Sequence, residues 1–119
     1  MEQARQRLYT VEEYMALEAQ GGVRHKFFEG EVFAMADGTA KHNMLVLNCA
    51  FALRAGLRGK SCRIFAENVQ LAVEQGRYYN YPDVQVTCAP DDLRAERTMK
   101  SPVLVIEVLS KSTETRDRS

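Results

Sequence analysis

One apolar stretch decides the fold: Pro102-Val103-Leu104-Val105-Ile106-Glu107-Val108-Leu109-Ser110. Its unbroken aliphatic residues predict a strand buried on both faces, as at the centre of a mixed sheet. Glu107 is the exception, because burying an unpaired carboxylate costs several kcal/mol. Such a group is normally paired, protonated or bound to a metal ion. The other interpretation is that Glu107 lies near the end of the strand and meets solvent or an arginine.

A second carboxylate, Asp83, directly follows Pro82 and opens another β-like run, 83–88. Polar and apolar residues alternate along this run, which predicts a half-exposed strand. Pro-Asp pairs are common in turns, so ordinary strand entry is the alternative interpretation of Asp83. Asp83 and Glu107 are 24 residues apart, which is enough to place the two strands side by side. Two converging carboxylates form an oxygen-rich site suited to Mg²⁺ or Mn²⁺, which favours hydrolysis of a phosphodiester.

Local signals define the elements that precede this pair. Thr10-Val11-Glu12-Glu13 is a capping box, which predicts a helix from residue 11 onward. Two β-prone runs, 24–28 and 31–35, are joined by Glu29-Gly30 and predict a hairpin. A long helical pattern covers 39–57, and most of its surface is apolar, which predicts a helix packed between two layers.

Period-two patterns at 61–66, 68–73 and 77–81 add three further strands. The sequence therefore predicts an α+β (α/β) fold, with a mostly continuous mixed β-sheet flanked by helices. A length of 119 residues corresponds to a single domain, 1–119.

Composition excludes several classes of protein. The 16 basic and 16 acidic side chains cancel, so a nucleic-acid surface must be a local patch and not a global field. No apolar run is long enough for a membrane span, and the N-terminus does not resemble a signal peptide. The sequence contains an odd number of widely spaced cysteines, Cys49, Cys62 and Cys88, which predicts reduced thiols in the core. We expect a cytoplasmic protein with no membrane partner.

Several other residues have two interpretations each. His42 faces inward from the first turn of the long helix, as either a satisfied core histidine or a site residue near a helix N-terminus. Glu67 could add a carboxylate, but the sequence does not place it.

A basic segment without acids either follows a phosphate backbone or complements the helix dipole; it contains Lys41, Arg54, Arg58, Lys60 and Arg63. The tyrosines of the 77–81 run either stack on bases or are ordinary strand residues; they are Tyr78, Tyr79 and Tyr81.

The segments YPDVQV and SPVLVIEVLSKSTETRDRS resemble the Uma-two family, described as putative restriction endonucleases, within the PD-(D/E)XK nuclease superfamily. The TVEEYMALE helix, the FFEGEVFAM hairpin and the Lys41-His42-Asn43 helix entry agree with this resemblance. It extends from Tyr9 to Arg118 and implies a restriction-endonuclease-like core.

The resemblance also implies roles for individual residues. Asp83 and Glu107 correspond to the two acidic positions of the superfamily motif, both metal ligands, and the backbone carbonyl of Val108 to a third ligand. His42 and Glu29 match positions that relatives tend to retain near the cleft. The implied cofactor is Mg²⁺ or Mn²⁺, and the implied substrate is DNA.

Two departures from the family pattern put catalysis in doubt. Leu109 occupies the position of the motif lysine, and it can neither carry charge nor orient a water molecule. Relatives have a substitute lysine in a later helix and continue through a further strand, so the resemblance implies that this chain is C-terminally truncated. Lys111 and Lys26 are the local alternatives, although lysines near strand ends are also ordinary surface residues.

Three functional hypotheses remain open. The first is a metal-dependent DNA endonuclease that uses Asp83 and Glu107, with Lys111 as a possible substitute for the missing lysine. The second is a catalytically degenerate nuclease fold that binds nucleic acid or protein. The third is a structural partner that forms a homodimer through unpaired sheet edges.

Overall fold

The computed structural model describes residues 7–36 and 38–109. Three helices and eight strands follow one another in mixed order, which confirms the predicted α+β class. In chain order they are α1 Val11–Ala19, β1 His25–Phe28, β2 Glu31–Ala34, α2 Ala40–Gly56, β3 Arg63–Ala66, β4 Gln70–Val73, β5 Tyr78–Asn80, β6 Val84–Thr87, α3 Pro90–Arg94, β7 Thr98–Met99 and β8 Pro102–Ile106. Among the described residues, no helix combines the length and the apolar character needed to cross a bilayer.

The capping box at the start of α1 forms as predicted. The Thr10 hydroxyl accepts a hydrogen bond from the backbone N–H of Glu13, whose carboxylate accepts one from the N–H of Thr10. These bonds satisfy helix N–H groups that would otherwise lack partners. The helix buries Tyr14 completely, with its ring 5.0 Å from that of Phe27 and 5.4 Å from that of Tyr79. This aromatic cluster fixes α1 against the first sheet.

The predicted hairpin is confirmed as β1 and β2, which pair in antiparallel register from His25↔Ala34 to Phe28↔Glu31. Glu29 and Gly30 make its turn, both with positive φ, which suits a tight two-residue connection. The hairpin belongs to a five-stranded sheet of order β2-β1-β5-β4-β7. Only the β4–β7 pairing in this sheet is parallel, so the sheet is mixed, as predicted.

A separate three-stranded sheet has the order β3-β6-β8, so the prediction of one mostly continuous sheet was wrong. All four residues of β6 are buried because this strand lies between β3 and β8, whereas the alternating pattern had predicted half exposure. The Gln85 amide donates to the carbonyl of Val69, and the Thr87 hydroxyl donates to Asp92, while Oε1 of Gln85 has no partner among the described residues. Hydrogen bonding makes the burial of these polar groups tolerable.

The apolar strand β8 lies at the edge of this sheet among the described strands, not at its centre. Val103 is 68% exposed, and Leu104 and Val105 are each 41% exposed. The prediction of a strand buried on both faces was therefore wrong. The same correction applies to α2, which contacts β3 and β6 but exposes much of its remaining apolar surface. The helix buries Val46, while Phe51 is 78% exposed.

Cys62 and Cys88 form a disulfide bond, contrary to the prediction of reduced thiols. The cause is strand register, because Arg63 lies opposite Thr87 and the two cysteines occupy the next positions along the same ladder. Their Cα atoms are 4.1 Å apart. Cys49 is a free cysteine, in agreement with the prediction.

Candidate metal centre

The two predicted carboxylates lie where β6 begins and β8 ends. Val84 pairs with Ile106, so Asp83 just before β6 and Glu107 just after β8 lie at the same end of the antiparallel pair. The backbone N–H of Val108 donates a 2.7 Å hydrogen bond to Oδ2 of Asp83. The prediction that the two strands lie side by side is confirmed.

Glu107 is exposed overall because β8 ends one residue before it, although its neighbours partly desolvate its carboxylate. Burial and the neighbouring Asp83 carboxylate raise the pKa of Glu107, while the Lys26 ammonium acts in the opposite direction. The Asn80 amide donates to Oε2 of Glu107 at 3.3 Å. The carboxylate thus lies near the end of its strand and meets solvent, as one interpretation proposed. Its neighbours are an amide, an aspartate and a lysine, and not an arginine.

Lys26 reaches this region through the pairing of β1 with β5. Phe27 lies opposite Tyr79, so the next position along the same ladder places Lys26 beside Asn80. Asn80 in turn contacts Glu107. Of the two lysines considered as substitutes for the motif lysine, Lys26 is therefore near the carboxylates, whereas Lys111 lies outside the described residues.

His42 occupies the first turn of α2 and is 15% exposed. Its Nε2 atom lies 3.1 Å from the carbonyl oxygen of Val108 and 3.2 Å from Oδ2 of Asp83. Both oxygens accept hydrogen bonds, so Nε2 carries the hydrogen and the Nδ1 atom of a neutral ring presents a lone pair. Nδ1 is buried, has no hydrogen-bond partner among the described residues, and lies 3.8 Å from Oε2 of Glu67.

Glu67 completes the cluster, at the end of β3. Its φ of 64° is unusual for a residue other than glycine, and two backbone contacts hold it there. The N–H of Glu67 donates to the carbonyl of Asp83 at 3.0 Å, and the Arg24 guanidinium donates to the carbonyl of Glu67. The Asn43 amide donates a 3.3 Å hydrogen bond to Oε1 of Glu67, and Oε2 of Glu67 faces His42.

One ligand atom each from His42, Glu67 and Asp83 lies within 4.8 Å of the other two. A lone pair facing a carboxylate is unfavourable unless a proton or a cation lies between them. A third carboxylate, that of Glu107, is close enough to Asp83 for the pKa of Glu107 to be raised. Imidazole nitrogen with several carboxylate oxygens is a donor set that binds divalent cations. The residues present therefore fit a metal ion.

Glu29 and Leu109 are the remaining residues considered from the sequence. Glu29 lies in the turn of the hairpin, where its carboxylate forms an ion pair with Arg77. This contact raises the pKa of the Arg77 guanidinium, chiefly through the hydrogen bond to Glu29. Leu109 is 51% exposed and supplies no polar atom to the cluster.

Sequence reasoning named Glu67 but did not place it. Its position follows from a backbone pairing that extends the β3–β6 ladder by one step, from Ala66↔Val84 to the Glu67–Asp83 hydrogen bond. A separation of 16 residues conceals this proximity in the sequence. The one available signal was a charged residue directly after a β-like run, at 61–66.

Comparisons with known proteins agree with this architecture. Residues 11–119 match the family Uma2, described as “Putative restriction endonuclease”. The uncharacterized protein slr1290 of Synechocystis sp. is 34% identical over 107 residues, covering 90% of this chain and 56% of that protein. The uncharacterized protein sll1609 of the same organism is 29% identical over 108 residues, covering 89% of this chain and 61% of that protein. The chain thus spans less than two thirds of the length of either relative.

A solved structure has a similar fold. The crystal structure of a putative nuclease belonging to DUF820 from Anabaena variabilis superposes with a TM-score of 0.66 at 17% sequence identity. The match covers 91% of this chain and 64% of that one. At 17% sequence identity, the similarity shows a shared fold. Since the family match covers nearly the whole chain and a nuclease-like fold accompanies it, the chain belongs to the Uma2 family of putative restriction endonucleases.

Proposed function

We propose that this chain carries the metal-binding carboxylates of an endonuclease that hydrolyses phosphodiester bonds in DNA. The observation that carries the proposal is the cluster of His42, Glu67 and Asp83 beside the Glu107 carboxylate. Carboxylates this close together repel one another in the folded protein, and a divalent cation would offset that repulsion. Family membership supports nuclease chemistry in general, and the choice of DNA follows from the family description.

Asp83 and Glu107 would hold Mg²⁺ or Mn²⁺, with the Val108 carbonyl as a third ligand. The Val108 oxygen already accepts from His42, but a carbonyl oxygen has two lone pairs and retains one for a cation. Glu67 and the Nδ1 atom of His42 border the same space and extend the ligand set. When bound, the ion would polarise the phosphate and lower the pKa of a bound water molecule.

Neighbouring backbone and side-chain groups would position these ligands. The Val108 N–H holds Oδ2 of Asp83, so Oδ1 is the oxygen left for the ion. Asn80 orients the Glu107 carboxylate, and Lys26 supplies positive charge beside it. Lys26 is therefore the better placed of the two lysines to substitute for the one that Leu109 replaces. Fixing the ligands in advance reduces the ordering that metal binding requires.

Nicking of supercoiled plasmid DNA in Mg²⁺ or Mn²⁺ tests this proposal. We expect the wild-type chain to nick the plasmid, and Asp83→Ala and Glu107→Gln each to reduce the rate at least 100-fold, which corresponds to about 2.7 kcal/mol of transition-state stabilisation. Glu96→Gln is the matched control, because Glu96 is exposed and outside the cluster. Activity that survives Asp83→Ala would refute the proposal.

A second candidate function is binding without cleavage, and Leu109 in place of the motif lysine favours it. A catalytically degenerate nuclease fold would bind nucleic acid or protein and show no metal-dependent nicking. Metal-dependent cleavage that Glu107→Gln abolishes would remove this candidate. Homodimerisation also remains a prediction, and sedimentation equilibrium at micromolar concentration is its direct measurement.

A further inference from the structure

A basic groove of about 620 Å³ lies between the C-terminal end of α2 and the start of β3. Its walls include four cationic side chains and one aromatic ring; these are Arg54, Arg58, Lys60, Arg63 and Phe51. All five residues are exposed. The Cys62–Cys88 disulfide fixes the β3 side of the groove to β6, because Cys62 also lines it.

The cations of this basic groove are not neutralised by neighbours. The sequence contains no acidic residue between Ala40 and Ala66, and none of the four forms an ion pair within residues 7–36 and 38–109. Three other surface arginines, Arg7, Arg77 and Arg94, each contact a carboxylate. Four uncompensated cations around one concavity attract a polyanion.

The helix dipole explains only part of this arrangement. Arg54 lies in the last turn of α2, and Arg58 and Lys60 follow closely, where cations complement the partial negative charge of a helix C-terminus. Arg63 belongs to β3 and has no such role, yet it lines the same groove. Phe51 is 78% exposed in the wall, which is unfavourable for a large aromatic ring in water. A ligand with both charge and apolar surface accounts for both residues.

The basic groove and the metal cluster lie at opposite ends of the same two elements. Along α2, His42 and Arg54 are 12 residues apart, a separation of about 18 Å at 1.5 Å per residue. Along β3, Arg63 and Glu67 are separated by about 13 Å at 3.3 Å per residue. B-form DNA rises about 3.4 Å along its axis per base pair, so these lengths correspond to the axial rise of about four or five base pairs.

We propose that this basic groove binds the phosphate backbone of duplex DNA about four or five base pairs from the phosphate at the metal cluster. The cations neutralise backbone phosphates, and Phe51 packs against the sugar edge of the same strand. Only the distance to the reacting phosphate rests on the proposed nuclease function. Affinity for the duplex rests on the groove itself, because phosphate contacts do not require a metal ion.

Fluorescence anisotropy with a labelled 20-base-pair duplex of mixed sequence, in EDTA and from 50 to 200 mM NaCl, tests the proposal. The variant Lys60→Gln/Arg63→Gln removes two cations that lie outside α2 and leaves Arg54, in the last turn of the helix, in place. We expect the slope of log K against log salt to fall by about two, and affinity at 50 mM salt to fall roughly 100-fold. The charge-preserving variant Lys60→Arg/Arg63→Lys should retain both values.

Arg94→Gln/Arg97→Gln is the matched control, since it removes the same charge from an exposed surface elsewhere. It should change the slope by much less than Lys60→Gln/Arg63→Gln. Equal losses in the two variants, or no binding of the duplex by the wild-type chain, would overturn the groove proposal. Binding of an acidic peptide in preference to the duplex would also overturn it.

A separate measurement keeps this test independent of the nuclease proposal. Calorimetric titration of Mn²⁺ into Lys60→Gln/Arg63→Gln should match the wild type, since neither residue belongs to the metal cluster. If Asp83→Ala leaves Mn²⁺ binding and nicking unchanged but the groove variant weakens duplex binding, the nuclease proposal fails and the groove proposal stands. If Asp83→Ala abolishes Mn²⁺ binding and nicking but the groove variant binds the duplex as the wild type does, the groove proposal fails and the nuclease proposal stands. Circular dichroism melting curves establish that each variant is folded.

Discussion

The backbone N–H of Val108 donates a 2.7 Å hydrogen bond to Oδ2 of Asp83, and this bond joins the end of β8 to the start of β6. It brings the carboxylate of Glu107, the preceding residue, to the same end of the strand pair. Asp83 and Glu107 then interact electrostatically, which raises the pKa of Glu107. A hydrogen bond that positions one acid thus contributes to the charge state of the other.

Asp83→Asn should therefore lower the pKa of Glu107. The variant removes the negative charge but retains an oxygen that can accept from Val108. Burial remains, so the pKa should move only part of the way toward its ordinary value. Carbon-detected NMR titration of the Glu107 carboxyl measures the change, with Asp91→Asn as a control on an exposed aspartate. An unchanged pKa in Asp83→Asn would contradict the electrostatic coupling.

Tyr14→Phe should destabilise the fold by about 1–3 kcal/mol, because two buried polar groups lose a partner. The Tyr14 hydroxyl donates to the His25 carbonyl at 2.6 Å and accepts from the Gln70 amide at 3.2 Å. Burial raises the pKa of this hydroxyl to about 12, so it stays protonated at neutral pH. Urea unfolding measures the loss.

Tyr9→Phe serves as the control for that experiment, since Tyr9 lies on the more exposed N-terminal side of α1. The control should change the free energy of unfolding by less than about 0.5 kcal/mol. Equal stability of Tyr14→Phe and wild type would contradict the structural role of the buried hydroxyl.

Asp92→Asn should cost about 2–3 kcal/mol at neutral pH, since the side chain of Asp92 is buried and accepts three hydrogen bonds. The donors are the Thr87 hydroxyl at 2.6 Å, the Lys100 N–H at 2.8 Å and the Ser101 N–H at 2.9 Å. Burial by itself would raise the pKa of Asp92, but these donors outweigh it and lower the pKa. An asparagine NH₂ group would face one of the donors and repel it.

The pH dependence of this loss has a definite sign. A carboxyl with a lowered folded-state pKa stabilises the protein above its unfolded pKa, and the contribution disappears as the pH falls through the folded value. The stability difference between wild type and Asp92→Asn should therefore be full at pH 6 and shrink below about pH 4. Thermal melts across this range measure it. A difference that does not vary with pH would show that the Asp92 charge is not involved.

Thiol titration in denaturant should detect one free thiol without reductant, from Cys49, and three after reduction. The Cys62–Cys88 bond closes a loop with a sequence separation of 26, so its loss should cost about 3 kcal/mol of stability. Cys62→Ser/Cys88→Ser, compared with Cys49→Ser, measures this cost by urea unfolding. Three free thiols without reductant would contradict the pairing.

The sequence predicts structural features that depend on adjacent residues, but it does not predict the order of the strands in each sheet. The capping box at Thr10 and the turn at Glu29-Gly30 depend on adjacent residues, and both form as predicted. β6 was predicted to be half exposed and is buried, whereas β8 was predicted to be buried and is exposed. The pattern of polar and apolar residues does not show which strands pair with a given strand. β6 hides its polar residues by hydrogen bonding, while β8 lies at the edge of its sheet among the described strands.

The candidate site was predictable to the same extent. Asp83 and Glu107 were found because each was conspicuous in its own segment, and their strands pair as expected. Glu67 and Lys26 come from strands whose pairing with the site could not be derived from spacing. The disulfide was missed for the same reason, since only the register of β3 against β6 brings Cys62 opposite Cys88.

Calorimetric titration of Mn²⁺ into the wild-type chain and into Glu107→Gln and Asp83→Ala tests the central claim most directly, because it requires no catalysis. We expect one binding site in the wild type and at least a 10-fold weaker affinity in each variant, with Glu96→Gln unchanged. Loss of affinity in both carboxylate variants would establish the metal centre. Equal affinity in all four folded proteins, or no binding in any of them, would contradict the account.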